Sequence, residues 1–383
     1  MSDKISCCIC NTDVHTIAIH LRDHHEGVTI ESYKEMYPGA PILSKLASDR
    51  MAQLAKEKEA RESESKTLEV KAEKKPLHEL FSLKRDALSL RADGSPIMID
   101  VLPDTEWSLQ VPEVDPNYIF NVEVLKVMIM GMALNIPTYI WGHAGTGKTT
   151  IIEQIAAITN RPLIRTQHTG STEEAHILGQ LAATEKGTHF EAGPLPMAMK
   201  HGWVYLADEY DFAFPQVLAV YQSVLEGKAL VIKEAPADSG WRIVKPHPNF
   251  RFFATGNTNG TGDETGLFSG TNVQNAANYE RFGIVEKMPY MSKQQEAAVV
   301  AAQGGISLPD AERLVQFAHL IRDAFDAKKI AGTAGPRVLI NSAKVGVARA
   351  SFMKGLNNAF INRLSTKDRE IVTQIAQRVL EAA

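Results

Sequence analysis

Gly142-His143-Ala144-Gly145-Thr146-Gly147-Lys148-Thr149-Thr150 places three glycines, a lysine and paired threonines in the spacing G-x-x-x-x-G-K-[ST], directly after the apolar run Thr138-Tyr139-Ile140-Trp141. Glycines let the backbone curl until successive N–H groups, and the N-terminus of a following helix, point at phosphate oxygens. In that setting Lys148 reaches the β- and γ-phosphates and Thr149 ligates Mg²⁺. The chemistry implied is the cradling of a nucleotide's phosphates.

Two further segments supply groups for hydrolysis. Val204-Tyr205-Leu206-Ala207-Asp208-Glu209 is an apolar strand ending in two acids, sixty residues beyond Lys148. There Asp208 would hold Mg²⁺ through water and Glu209 would polarise an attacking water. Asp211 adjoins them and reads as a cap or salt-bridge partner. Phe252-Phe253-Ala254-Thr255-Gly256-Asn257 is a second apolar strand with a polar side chain at its end. Carboxyl ends of parallel strands converge on the ligand crevice, which places Asn257 to orient water against the γ-phosphate.

Cys7, Cys8 and Cys10 are all the cysteines in the chain. Such crowding excludes a disulfide framework and points to a local metal site. Cys7-x-x-Cys10 with His20 and either His25 or His24 suits tetrahedral Zn²⁺, with His25 preferred and Cys8 able to substitute for Cys7. A helix beginning near His15 would bring the histidines to one side, with His15 itself on the helix surface. So small a unit needs a staple, and the metal would be one.

These residues must be positioned by an α/β framework. A helix over Val122–Leu134, the strand at Tyr139, a helix from Thr149 to Thr159 and a strand over Pro162–Thr166 follow in turn. Ser171-Thr172-Glu173-Glu174 reads as a capping box opening a short helix, and Gly187–Gly193 as a hairpin tip with its return strand. Then come the strand Trp203–Ala207, a helix over Pro215–Glu226, the pair Ala229–Ile232 and Trp241–Val244, and the strand Phe250–Thr255. Alternating strands and helices imply a parallel sheet covered on both faces. Beyond Ser292 only helical periodicity remains, over Gln294–Gln303, Asp310–Ala327, Arg337–Met353 and Thr366–Ala383. The expected organisation is a zinc-finger-like unit (1–45), a charged linker (46–77), a lead-in without clear structure (78–120), an α/β nucleotide-binding domain (121–291) and an all-α lid (292–383). The segment Ser48–Lys75, rich in Lys, Glu, Arg and Ser, cannot bury a core.

With 383 residues, 44% of them hydrophobic and 22% charged, the chain can bury a real core. No run is apolar enough to span a bilayer or serve as a signal segment, so a cytoplasmic protein without membrane contact is expected. A net charge of -4 argues against a whole-chain nucleic-acid binder. The first 45 residues hold four basic side chains against six acids. That balance favours protein docking over DNA for the finger.

The ordered set of Gly142–Thr149, Asp208-Glu209, Asn257, Arg281 in Asn278-Tyr279-Glu280-Arg281-Phe282, and Arg337 in Gly335-Pro336-Arg337 resembles the AAA+ ATPases of the MoxR branch. Within it, the stretches Pro246–Thr258 and Gly260-Thr261-Gly262-Asp263-Glu264-Thr265-Gly266-Leu267-Phe268-Ser269-Gly270-Thr271 resemble the ATPase subunits of aerobic cobaltochelatase. The resemblance covers about residue 95 to the C-terminus. It implies an AAA+ fold, ATP and Mg²⁺ as cofactors, Asn257 as first sensor, Arg281 as an arginine finger acting on a neighbouring subunit, and Arg337 as second sensor in the lid. It implies a hexameric ring that remodels a partner, a larger subunit with a von Willebrand-type domain, and a chelatase-like target receiving Co²⁺. The hairpin over Glu185–Ala192 resembles an insert that such rings push toward a partner. Cys7–Pro38 resembles small zinc fingers of the Ros/MucR type, which leaves open a nucleic-acid-associated motor with the finger as its DNA reader. A nucleotide-binding adaptor with little turnover is disfavoured by the full set of Asp208, Glu209, Asn257 and Arg281.

Overall fold

The computed structural model of the chain describes residues 4–25, 27–50, 72–86, 89–91, 93–185 and 187–381. The chain forms two compact units, residues 1–71 and 72–383. The first holds a two-stranded ribbon of β1 (Ile5–Ser6) and β2 (Asp13–Val14), followed by helices over Ile17–His24 and Ile30–Met36. Its core is small: Cys7, Ile17, Leu21 and Tyr33 are buried together. His15 does not sit on the helix as expected. It precedes it, and its Nδ1 lies 2.9 Å from Ser44 Oγ, fastening the loop that follows the second helix.

Most of the charged segment, residues 51–71, lies outside the described residues. Its end is not a tether: β3 (Glu73–Pro76) pairs antiparallel with β4 (Met98–Val101) and begins the second unit. The central sheet of that unit contains β5 (Thr138–Trp141), β6 (Leu163–Gln167), β9 (Val204–Asp208), β12 (Arg251–Gly256) and β13 (Ile284–Lys287), ordered β13-β5-β12-β9-β6 and parallel throughout. A hairpin of β7 (Gly179–Thr184) and β8 (Gly187–Ala192), and a short pair of β10 (Leu230–Val231) and β11 (Ile243–Val244), lie outside it.

Side-chain alternation along each strand feeds two cores. Ile140, Leu206 and Phe253 face the helices over Val122–Leu134 and Lys148–Ile158, whereas Tyr139, Tyr205 and Phe252 join Leu195, Tyr221 and Phe282 in the other cluster. Both faces being dry, the central strands read as unbroken apolar runs. A third core, with Leu314, Phe317, Leu339, Leu356 and Val372, belongs to the C-terminal helices. Among the described residues, no helix is long and apolar enough to cross a membrane.

Several expectations need correction. β13 has no counterpart in the sequence reading because this edge strand is short and alternates partly buried Ile284 and Glu286 with exposed Val285 and Lys287. The helix over Pro215–Glu226 is interrupted by a 3-10 turn at Ala219–Tyr221. The capping box sits at Glu173 and His176 rather than starting at Ser171, and the helix begins at Glu174. The helix over Arg337–Met353 is two helices, Pro336–Ala348 and Phe352–Ala359, with Ala350 at φ 49° between them. They approach closely at Gly355, where an added Cβ would clash with Ser342 O and lie 3.0 Å from Gly346 N.

Candidate functional site

β5 ends at Trp141, and the glycine loop carries the chain into the helix that starts at Lys148. Gly142 has φ 153°, and a Cβ there would lie 2.5 Å from Met288 O, so only glycine fits. Gly145 and Gly147 also take left-handed conformations, at φ 81° and 92°. Lys148 is buried, and its Nζ donates to Gly142 O (2.8 Å), His143 O (3.1 Å) and Asn257 Oδ1 (3.1 Å). Burial pulls its pKa down to about 8, against the opposing influence of Asp211, Asp208 and Glu209.

β9 delivers the acids. Asp208 is buried, and its Oδ1 accepts from Thr149 Oγ1 at 2.8 Å and from the Thr255 hydroxyl, while its Oδ2 pairs with Arg165 of β6. Glu209 follows in a left-handed conformation, φ 52°, unusual for a residue with a side chain. Its N–H donates to Thr255 Oγ1 at 3.1 Å, and its Oε2 accepts from Gln167 Nε2 at 3.1 Å. A hydroxyl and a carboxylate 2.8 Å apart beside a phosphate cradle are hard oxygen donors that fit Mg²⁺.

β12 brings Asn257 to Lys148. Asp211, fully buried, fixes that corner: its Oδ2 accepts from Asn257 N (2.9 Å), Thr258 N (2.8 Å) and Thr258 Oγ1 (2.8 Å), and its backbone carbonyl accepts from Asn272 N (2.7 Å). Burial raises its pKa, opposed by the Thr258 and Asn257 hydrogen bonds. It is a cap, as expected, but of the Asn257 turn rather than of a helix.

Two cavities flank the loop. One of about 330 Å³ is lined by Asp115, Tyr118, Gly145, Thr146, Gly147, Thr150, Met288 and Arg337, which suits a nucleoside beside the phosphates. Another of about 500 Å³ is lined by Ala144, Gly145, Phe268, Arg337 and Arg363. Arg337 therefore borders both. Arg281 is not brought to the site: it pairs with Glu226 Oε1 at 2.7 Å and donates to Ala277 O at 2.6 Å. Sequence reasoning missed Arg165, Gln167 and Arg363, and the strand periodicity of Leu163–Gln167 was the only signal for the first two.

The loop also reaches toward the C-terminal helices by way of Tyr290, just before the first of them. The His143 ring stacks on Tyr290 at 5.4 Å with 8° between planes, and Arg322 lies 3.7 Å from the Tyr290 ring centre. Arg322 grips the fully buried Glu296 with two hydrogen bonds of 2.8 and 2.6 Å.

In the first unit, ligand atoms of Cys7, Cys10, His20 and His25 all lie within 4.8 Å of one another. Cys10 Sγ is 3.1 Å from His20 Nε2 and 3.4 Å from His25 Nε2, and Cys7 Sγ is 3.9 Å from His25 Nε2. A tetrahedron built on ordinary Zn–S and Zn–N bonds has edges of roughly 3.3–3.8 Å, so the two-sulfur, two-nitrogen set fits Zn²⁺. The Cys10 thiol is pulled down to about 5, first by the Thr12 side-chain hydrogen bond and then by His20. His24 and Cys8 stand outside this group; Cys8 is exposed, and its backbone N–H donates to Tyr33 Oη at 2.8 Å.

The AAA domain family, dynein-related subfamily, matches residues 137–282, and the CbbQ/NirQ/NorQ C-terminal family matches residues 296–381. Over 279 residues the chain is 33% identical to the aerobic cobaltochelatase subunit CobS of a Sinorhizobium species, covering 70% of this chain and 82% of that protein. It is 24% identical over 186 residues to protein CbbQ of Hydrogenophilus thermoluteolus, covering 49% and 65%. A match of 28% over 151 residues to mouse von Willebrand factor A domain-containing protein 8 covers 37% of this chain and 8% of that one. Glycine cradle, acid-tipped strand and helical C-terminal region thus fall within these matches, and the chain belongs to the AAA+ ATPases, as a MoxR-type member related to CobS.

Proposed function

We propose that the chain is an ATP-hydrolysing ring motor that remodels a partner protein. The observation that carries this reading is the convergence of Lys148, Thr149, Asp208, Glu209 and Asn257 at the carboxyl ends of adjacent strands. Lys148 binds the β- and γ-phosphates, the loop N–H groups cradle them, and Thr149 with Asp208 would hold Mg²⁺. The ion would supply positive charge to offset that of the phosphates. Glu209 takes up the proton of the attacking water, which Asn257 orients. Arg337, bordering both cavities, contacts the phosphates from the lid.

Arg281 acts on the site of the next subunit in a hexamer. Its tie to Glu226, away from Lys148, is what a group serving a neighbour requires. The relation to CobS supports a cobaltochelatase-like assembly, with a von Willebrand-type partner and a chelatase-like target. The first unit is stapled by Zn²⁺ on Cys7, Cys10, His20 and His25 and docks protein in preference to DNA. The β7–β8 hairpin, which begins at Gly179 rather than Glu185, engages the partner.

The test is Glu209→Gln in the full chain. It retains ATP binding and loses turnover by at least about a hundred-fold; unchanged turnover refutes the assignment. DNA-stimulated ATPase that falls steeply with salt would favour a nucleic-acid motor instead.

A further inference from the structure

Asp208 has a partner that metal binding does not call for. Besides the Thr149 and Thr255 hydroxyls on Oδ1, its Oδ2 carries the Arg165 guanidinium. Arg165 and Gln167 lie two residues apart on β6, so both side chains leave the same face of the strand. With β6 parallel to β9, one reaches Asp208 and the other Glu209. The second guanidinium nitrogen of Arg165 lies 3.9 Å from Glu153, on the helix that follows the glycine loop. The cation is thus slung between a helix acid and the metal-site acid. Its side chain is 41% exposed, whereas that of Asp208 is 4% exposed, so it approaches from the solvent side and has room to withdraw.

A buried carboxylate without a counter-charge is unfavourable. A guanidinium supplies that charge but occupies Oδ2, one of the two carboxylate oxygens that a divalent cation or its bound water would use. Mg²⁺ dehydrates reluctantly and is held in such sites by one or two protein oxygens together with phosphate oxygens. Without the phosphates, a single carboxylate already paired with arginine offers little. We propose that Arg165 is the resident counter-cation of the metal site: it holds Asp208 in the nucleotide-free chain and makes divalent-cation binding conditional on nucleotide. Arg165 touches neither substrate nor reacting atoms and is a positioning residue. The inference rests on Thr149 and Asp208 being the metal ligands.

The test measures Mn²⁺ binding to the full chain by the loss of free-ion paramagnetic resonance signal, without nucleotide and with ADP. Arg165→Met keeps length and removes charge; it is expected to tighten nucleotide-free Mn²⁺ binding at least ten-fold, while Arg165→Lys stays near wild type. Saturating ADP is expected to shrink the difference to under three-fold. Adding Asp208→Asn to Arg165→Met should abolish the gain. Unchanged or weaker nucleotide-free Mn²⁺ binding in Arg165→Met overturns the proposal, as does a gain that survives Asp208→Asn. Metal-free binding of a fluorescent ADP reports a folded site in each variant. A chain that binds no nucleotide would defeat the ATPase reading, whereas equal Mn²⁺ affinities in two nucleotide-binding proteins defeat only this inference.

Discussion

Gln167 Nε2 donates to Glu209 Oε2 across 3.1 Å, so the proposed water-activating carboxylate has a partner within the chain. Gln167→Ala removes that donor and leaves Glu209 free to accept from water. Basal ATP turnover, measured as phosphate release without partner, is expected to rise roughly two- to ten-fold, the gain from losing one ordinary hydrogen bond of about 0.5–1.5 kcal/mol. A fall in turnover would mean that Gln167 orients Glu209 productively.

Lys148 imposes a pH limit. Its pKa of about 8 lies below the ordinary lysine value because of burial, so it is charged below pH 8 and neutral above. The charged form binds phosphate. ATP affinity, followed by titration calorimetry, should therefore be greatest near neutrality and weaken up to about ten-fold per unit above pH 8, with proton uptake on binding in that range. Lys148→Ala should bind weakly with no such pH dependence.

Asp211→Ala strands three donors around Asn257 and Thr258. Each unsatisfied buried donor costs about 1–3 kcal/mol, so urea unfolding should show a loss of roughly 3 kcal/mol or more. In the fraction that folds, kcat should drop further than nucleotide affinity, since Asn257 loses its placement while the glycine loop does not. Equal losses in both would contradict this division.

Arg281→Ala should silence turnover of the assembled ring, by a factor on the order of a thousand, and leave nucleotide affinity of the isolated subunit nearly intact. A mixed ring containing Arg281→Ala and Glu209→Gln subunits should regain activity only at junctions where an intact Arg281 meets an intact Glu209. A large affinity loss in the isolated subunit would place Arg281 in its own site.

Metal analysis of the full chain should find one Zn²⁺ per chain, lost in Cys10→Ser and His20→Ala and kept in Cys8→Ser and His24→Ala. His24 and Cys8 lie outside the group formed by Cys7, Cys10, His20 and His25. Zinc loss in His24→Ala equal to that in His20→Ala would redraw the ligand set.

What could be read directly from the sequence was whatever local geometry dictates. A glycine loop ending in Lys148-Thr149, and acids at the tips of apolar strands, announce themselves because each is specified within a few residues. Arg165 and Gln167 do not. Their roles exist only once β6 lies beside β9 in one register, a pairing across some forty residues that no local pattern encodes. β13 escaped because an edge strand needs only one apolar face. The Ala348–Phe352 break escaped because a tight turn between close-packed helices needs neither glycine nor proline at its centre, only Ala350 in a left-handed conformation.

The stack of His143 on Tyr290, with Arg322 over the same ring and Glu296 behind it, turns the first variable residue of the glycine loop into a bearing surface. Glu296 and Arg322 belong to the C-terminal helices, whereas Tyr290 stands just before them, so a rotation of those helices acts on the Tyr290 ring through Arg322. A movement of those helices therefore reaches the glycine loop through the Tyr290 and His143 rings, beside the close approaches of Gly335 to Ala144 and of Arg337 to Gly145.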